Sequence, residues 1–167
     1  MPSFKLVDAK LPEFGVPKTR PELDRSVYAE RFAALARARR GAGLDALVVY
    51  ADREHTANLS YITGFDPRFE EALLVIVPDA TPTLLAGPEN LARAAASMID
   101  VEARLYPPFG LMGQDRSKTP SLEEVLRNAG IRPQHRVGVL GWKYFGPYEA
   151  AKPEAWLEAP SYIVDVL

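Results

Sequence analysis

The chain contains no cysteine. That excludes a disulfide framework, a thiolate metal site and a cysteine nucleophile. It suits a reducing compartment. Histidine is nearly as scarce, with His55 and His135 far apart in the chain. No two histidines flank a glutamate at helical spacing, so the zinc-hydrolase helix pattern is missing. No Gly-x-Ser-x-Gly elbow presents a serine nucleophile. Neither sign of charge dominates: 20 Lys and Arg stand against 22 Asp and Glu, a net charge of −2. Phosphate binding needs a concentrated basic face, so nucleic acid is not the expected partner. No apolar run approaches the ~18 residues of a membrane span. Met1-Pro2-Ser3-Phe4-Lys5 lacks the apolar stretch of a signal peptide. The expectation is a cytoplasmic protein with no membrane partner.

What is present reads as an ordinary globular chain. Its 167 residues are 47% hydrophobic, 25% charged and 10% aromatic, enough for one packed domain. Pro2, Pro12, Pro17 and Pro21 discourage regular structure at the start. Residues 1–25 are expected to form an extended arm that lies across the domain or a neighbour, and residues 26–167 the domain itself. Tyr28, Phe32 and Leu35 recur at i, i+4, i+7, which predicts a helix over 26–40, capped by Asp24 or Ser26. Arg37, Arg39 and Arg40 suit its C-terminal dipole, and Gly41 and Gly43 end it.

Further on, buried strands are expected at 44–50 and 72–77, further strands at 83–86, 101–106 and 136–142, and a last one at 162–166. Between them the pattern places a short helix over 53–61 capped by Asp52, a helix over 88–99 with Leu91, Ala94, Ala95 and Met98 inward, and a helix opened by the capping box Ser121-Leu122-Glu123-Glu124. Pro78 to Thr81 has turn chemistry. The sum is an α/β domain: a mixed, mostly buried sheet of about six strands flanked by helices. The chain stops inside the apolar run Tyr162–Leu167, which reads as a boundary within a longer protein.

Four clusters carry candidate chemistry. Asp52-Arg53-Glu54-His55 follows a buried strand, where α/β proteins place sites. A carboxylate with an imidazole can do acid–base work or join a metal site. Capping by Asp52 with surface charge is the stronger reading, and contact of Arg53 and His55 with a partner or substrate is the functional one. Asp66-Pro67-Arg68-Phe69-Glu70-Glu71 is a charged loop before a strand. Arg68 beside Phe69 could clamp and cover a carboxylate, or could pair locally with Glu70 or Glu71. Gly41-Ala42-Gly43 follows a helix and precedes a strand, the reverse of a phosphate loop, so it is a helix stop. Gly141 to Tyr148 packs Trp142, Tyr144, Phe145 and Tyr148 together, either as core caps or as an exposed patch for another domain or subunit.

A helix bearing Arg31, then Gly43–Val49, then Asn58-Leu59-Ser60-Tyr61-Ile62-Thr63-Gly64-Phe65, then a buried strand, is similar to the N-terminal domain of the creatinase/prolidase/aminopeptidase P (pita-bread metallopeptidase) family. The resemblance extends in element order over most of 22–167. It implies an α/β domain with a mixed sheet, joined in the parent to a C-terminal catalytic domain absent from this chain. That domain would hold a divalent metal (Mn, Co or Zn) on two Asp, one His and two Glu. It implies oligomer contacts, loops that reach a neighbour's active site, and a peptide or small amide as substrate. Carried onto this chain, the substrate-facing residues are Asp66, Arg68 and Phe69. The local sequence differs from creatinase, which counts against creatine. No catalytic or metal residue falls within 1–167, so the resemblance makes this chain non-catalytic by itself and its parent a metal-dependent Xaa-Pro peptidase or creatinase-like hydrolase. The other reading is a free-standing interaction module that works through Trp142 and Tyr144. A small hydrolase built on Asp52 and His55 is the weakest.

Overall fold

The computed structural model describes residues 3–19 and 21–167. Five strands form one sheet: β1 (Ala46–Ala51), β2 (Ala72–Ile76), β3 (Thr83–Ala86), β4 (Glu102–Leu105) and β5 (Val137–Leu140), in the order β4-β3-β2-β1-β5. β2 runs antiparallel to β1 and β3, while β5 and β4 run parallel to β1 and β3. The sheet is therefore mixed, as the short turn at 78–81 requires. Asp79 sits there at φ 58, a left-handed conformation that aspartate tolerates in turns.

β1, β2 and β3 are buried at every position, so their sequences read as apolar runs rather than alternations. Alternate residues serve opposite faces. Val48, Tyr50, Leu73, Val75 and Leu85 join one core with Phe109, Leu126 and Ile163. Leu47, Val49, Leu74, Ile76 and Leu84 join the other with Leu59, Ile62 and Phe65. Helix α1 (Arg25–Gly41) and helix α2 (Ala57–Thr63) cover the second face. Of the predicted stripe on α1, Phe32 and Leu35 pack on that core as partly buried residues. Helix α3 (Leu122–Asn128) covers the first face, and its N-cap Ser121 accepts a hydrogen bond from the Glu124 amide.

The family-like segment at 58–65 has a structural reason for its residues. Gly64 caps α2 at φ 72, and a Cβ there would meet Met98 Cγ at 2.7 Å. Thr63 Oγ1 donates back to the Leu59 carbonyl and accepts the Phe65 amide. Arg31 reaches across from α1, donating to the Tyr61 carbonyl at 3.0 Å with its guanidinium 4.1 Å from the Tyr61 ring centroid.

Four expectations are corrected. The run at 162–166 is not a sixth strand. It forms helix α4 (Ser161–Val164), which inserts the fully buried Ile163 into the core; β5 stays the sheet edge. β-propensity there yields to packing. The helix over 88–99 shrinks to a 3-10 segment at Leu91–Ala96, because Asn90 and Ser97 spend their side chains on Glu70, Pro67 and Thr63. Ala94 is buried there, but Ala95 is exposed. α2 begins at Ala57, not at 53. Finally, Asp24 stands at the N-cap of α1 with no side-chain cap bond, and the N-cap is not Ser26.

Candidate functional site

Because β1, β3, β4 and β5 point one way and β2 the other, one end of the sheet gathers several loops: 52–56 after β1, 66–71 before β2, 87–90 after β3, 106–116 after β4 and 141–148 after β5. Ligands of α/β sheets tend to bind in such places. All seven candidate residues, Arg53, His55, Asp66, Arg68, Phe69, Trp142 and Tyr144, lie on these loops.

The 52–55 cluster and the 141–148 segment meet. Asp52 Oδ1 accepts the Glu54 and His55 amides, each at 2.9 Å, and its carboxylate lies 2.9 Å from the His55 ring Nδ1. It therefore caps a tight turn and orients the imidazole. Burial alone would raise the Asp52 carboxyl, but hydrogen bonds from the His55 ring and the two amides outweigh it and hold the group below the usual aspartate range. The other half of the contact is aromatic: the His55 ring stacks on Trp142, with centroids 4.3 Å apart and planes at 27°. Asn58 Nδ2 latches α2 to the Gly141 carbonyl at 2.7 Å. Gly141 is required by close approach, since a Cβ there would strike the Glu158 carbonyl.

The 66–71 loop does not pair its charges locally. Glu70 is 3% exposed, and its carboxylate accepts the Glu89 and Asn90 amides and the Asn90 side chain. Glu71 accepts the hydroxyls of Tyr50 at 3.0 Å and Tyr162 at 2.7 Å. Local pairing of Arg68 with Glu70 or Glu71 is thus overturned: both carboxylates are already taken by donors from β1, α4 and the 87–90 turn. Arg68 stands exposed at φ 57, its amide held by Asp66 Oδ1 at 2.8 Å. Burial, then the Glu71 charge and hydrogen bond, push the Tyr50 phenol far above its ordinary value. The same forces act on Tyr162, where the hydrogen bond to Glu71 outranks its charge.

Arg53 and Phe69 line one cavity of about 360 Å³ with Asp52, Glu71, Met112 and Arg116. Trp142 and Tyr144 line another, about 520 Å³, with Phe145 and Trp156. The aromatics of the segment are thus mostly exposed: Phe145 is half-buried, whereas Trp142, Tyr144 and Tyr148 are exposed. Tyr50, Tyr162 and Trp156 escaped the sequence reading as site residues. Only the fold brings them to these sites, so no local signal marks them.

The metal that the resemblance assigns to the parent finds no donor set in this part. Among the described residues, no three His, Cys, Asp or Glu side chains converge to hold an ion. Asp52 and His55 supply a pair without a third ligand. No helix of the described residues is long and apolar enough to cross a membrane.

The Creatinase/Prolidase N-terminal domain family matches residues 31–152. The chain belongs to this family. Among solved structures, it is similar to the dipeptidase PepE from Mycobacterium ulcerans at 22% identity, over 72% of this chain and 36% of that one, with a TM-score of 0.41. It is similar to the Creatinase/Prolidase N-terminal domain of an X-Pro dipeptidase from Streptococcus pyogenes at 14% identity, over 66% and 75%, with a TM-score of 0.46. It is also similar to an aminopeptidase P, an Xaa-Pro aminopeptidase, from Streptococcus thermophilus at 18% identity, over 85% and 97%, with a TM-score of 0.46. The chain thus spans about a third of the Mycobacterium dipeptidase. No curated protein matches it. Membership rests on the family match and not on these likenesses.

Proposed function

We propose that the chain is the non-catalytic N-terminal domain of a metal-dependent Xaa-Pro peptidase or creatinase-like hydrolase, and that it builds oligomer contacts and shapes substrate access. The family match over residues 31–152 carries this reading. The gathering of the 52–55, 66–71 and 141–148 loops at one end of the sheet supports it, because a substrate-facing surface needs several loops on a rigid scaffold. In this reading Arg53, His55, Asp66, Arg68 and Phe69 face a peptide or small amide, while Trp142 and Tyr144 face a subunit or domain. The divalent ion (Mn, Co or Zn) belongs to the catalytic partner domain, and the setting is the cytoplasm.

The test has two arms. Residues 1–167 alone, supplied with manganese or cobalt, should leave Xaa-Pro dipeptides and tripeptides intact; clear turnover sinks the non-catalytic assignment. A parent carrying the catalytic domain should hydrolyse them, and Arg68→Ala or Phe69→Ala there should raise KM more than it lowers kcat. Unchanged KM in both variants removes the substrate-access role.

A further inference from the structure

Two features of the chain complement each other. One is the arm. Residues 3–19 carry no helix or strand, and every one is exposed. Phe4, Leu6, Val7, Leu11, Phe14 and Val16 are 72–101% exposed. Isolated apolar side chains on a surface are ordinary, but six large ones in one short run mark a contact surface. The arm also holds Leu11-Pro12 and Val16-Pro17, two apolar–proline pairs. Proline fixes φ near −65° and biases the residue before it to extended backbone, so each pair favours a polyproline II course, with Gly15 at φ 71 making a bend between them.

The other is the groove beyond β5. Trp142, Tyr144, Phe145 and Trp156 line it with Pro153, and Val139 and Leu140 form its base. Phe145 meets Trp156 edge-on at 5.1 Å, which fixes one wall. His55 backs Trp142 on the other. Trp142 and Trp156 are half exposed and Tyr144 is 86% exposed. None of the three side chains donates a hydrogen bond among the described residues, so two indole N–H groups and a phenol stay available. Aromatic walls with free N–H and O–H donors are the surface that polyproline II segments use: the rings take the apolar–proline pairs, and the donors take the carbonyls of a backbone whose prolines have no N–H.

The arm and the groove stand at opposite edges of the sheet. The arm enters α1 at Arg25, which is tied to the Ser97 carbonyl and to Asp100 just before β4. The groove lies beside β5, the other edge strand. The arm does not lie on its own domain, and its 17 residues can span up to about 56 Å when extended, well past a domain of this size.

We propose that the proline-bearing arm of one copy docks in the aromatic groove of a second copy, with Leu11-Pro12 and Val16-Pro17 against Trp142, Tyr144 and Trp156. A reciprocal exchange makes two such contacts in one two-fold dimer. The proposal rests on the oligomeric part of the function above and not on its peptidase part.

The groove contains both tryptophans of the chain, so intrinsic fluorescence reports on it alone. In the full chain, emission should shift to the blue as concentration rises, in step with a doubling of mass by sedimentation. A synthetic peptide of residues 3–19 should reproduce the shift in dilute protein. Tyr144→Ala should weaken peptide binding tenfold or more. A chain carrying Phe14→Ser and Pro17→Ala should lose the self-association, and it cannot fail for want of folding, because Phe14 is 92% exposed. A dimer that persists with those arm changes overturns the proposal. So does emission that ignores both concentration and peptide. So does a blue-shifted emission that arm variants abolish at every dilution, which would put the arm in its own groove. Turnover of Xaa-Pro peptides by the isolated chain would sink the non-catalytic assignment and leave this proposal standing.

Discussion

Replacing Glu70 by alanine should destabilise the fold by about 3–5 kcal/mol, although the residue sits in a loop with charged neighbours in sequence. Its carboxylate is buried and accepts three donors: the Asn90 amide at 3.0 Å, the Asn90 Nδ2 at 2.8 Å and the Glu89 amide at 3.2 Å. Hydrogen bonds to a charged group are worth about 1.5–3 kcal/mol each, and a buried donor left without a partner costs about 1–3 kcal/mol. Asn90 Nδ2 keeps the Pro67 carbonyl, so the loss falls mainly on the two amides. Gly87 and Gly110 crowd the carboxylate, with an added Cβ at Gly87 only 2.5 Å from Glu70 Cδ. Glu70→Gln keeps one acceptor for the Asn90 pair but turns an NH2 toward the Glu89 amide, at a cost of about 1–2 kcal/mol. Urea unfolding followed by far-UV circular dichroism measures both, with the slope checked for constancy. At about 2–4 °C per kcal/mol, alanine should lower Tm by roughly 10 °C and glutamine by a few degrees. A Glu70→Ala protein within about 1 kcal/mol of the parent would refute the claim that this carboxylate ties the 87–90 turn to the loop before β2.

Other outcomes follow from the same geometry. Gly64→Ala should cost about 2–3 kcal/mol, combining a left-handed backbone with a clash on Met98; a neutral result in thermal unfolding would contradict the cap. Asp52→Asn should cost about 1 kcal/mol near neutral pH. The folded Asp52 carboxyl lies below its unfolded value, so its contribution is present above that value and is lost as pH falls through the folded one. The gap between the two proteins should therefore close in acid, and a gap that widens there would be the wrong sign. Tyr50, Tyr106 and Tyr162 have raised phenols, Tyr106 chiefly through burial. Their contribution to stability is present below about pH 10 and is lost as pH rises beyond it. Absorbance at 295 nm should show Tyr50 and Tyr162 ionising only with alkaline unfolding, and ionisation of all seven tyrosines in the folded chain would refute it.

The comparison of sequence with structure turns on range. β1, β2 and β3 were legible because each is buried on both faces, and burial on both faces writes an unbroken apolar run into the chain. The stop at Gly64 was legible because a left-handed residue at a helix end selects glycine. The Arg31 helix and the 58–65 segment pointed to the family, and in this chain they meet partners in space: Arg31 on Tyr61, Gly64 under Met98. The 162–166 run misled because its apolar residues satisfy a strand and a buried helical turn equally. The free edge of β5 and the contact of Ile163 with the core decided between them.

The same division runs through the candidate site. The residues alone determined which loops carry charge and aromatics, and that no cysteine or paired-histidine chemistry is available in this chain. Asp52 as a cap was likewise legible, since its partners lie two and three residues on. The tertiary structure alone decided what those groups do. It gave Glu71 to Tyr50 and Tyr162, gave Glu70 to Asn90, left Arg68 exposed, and stacked His55 on Trp142 across the sheet end. Hydrogen bonds and ring stacking act over a few ångströms in space, whereas sequence patterns report only neighbours along the chain; the strand order β4-β3-β2-β1-β5 converts one into the other.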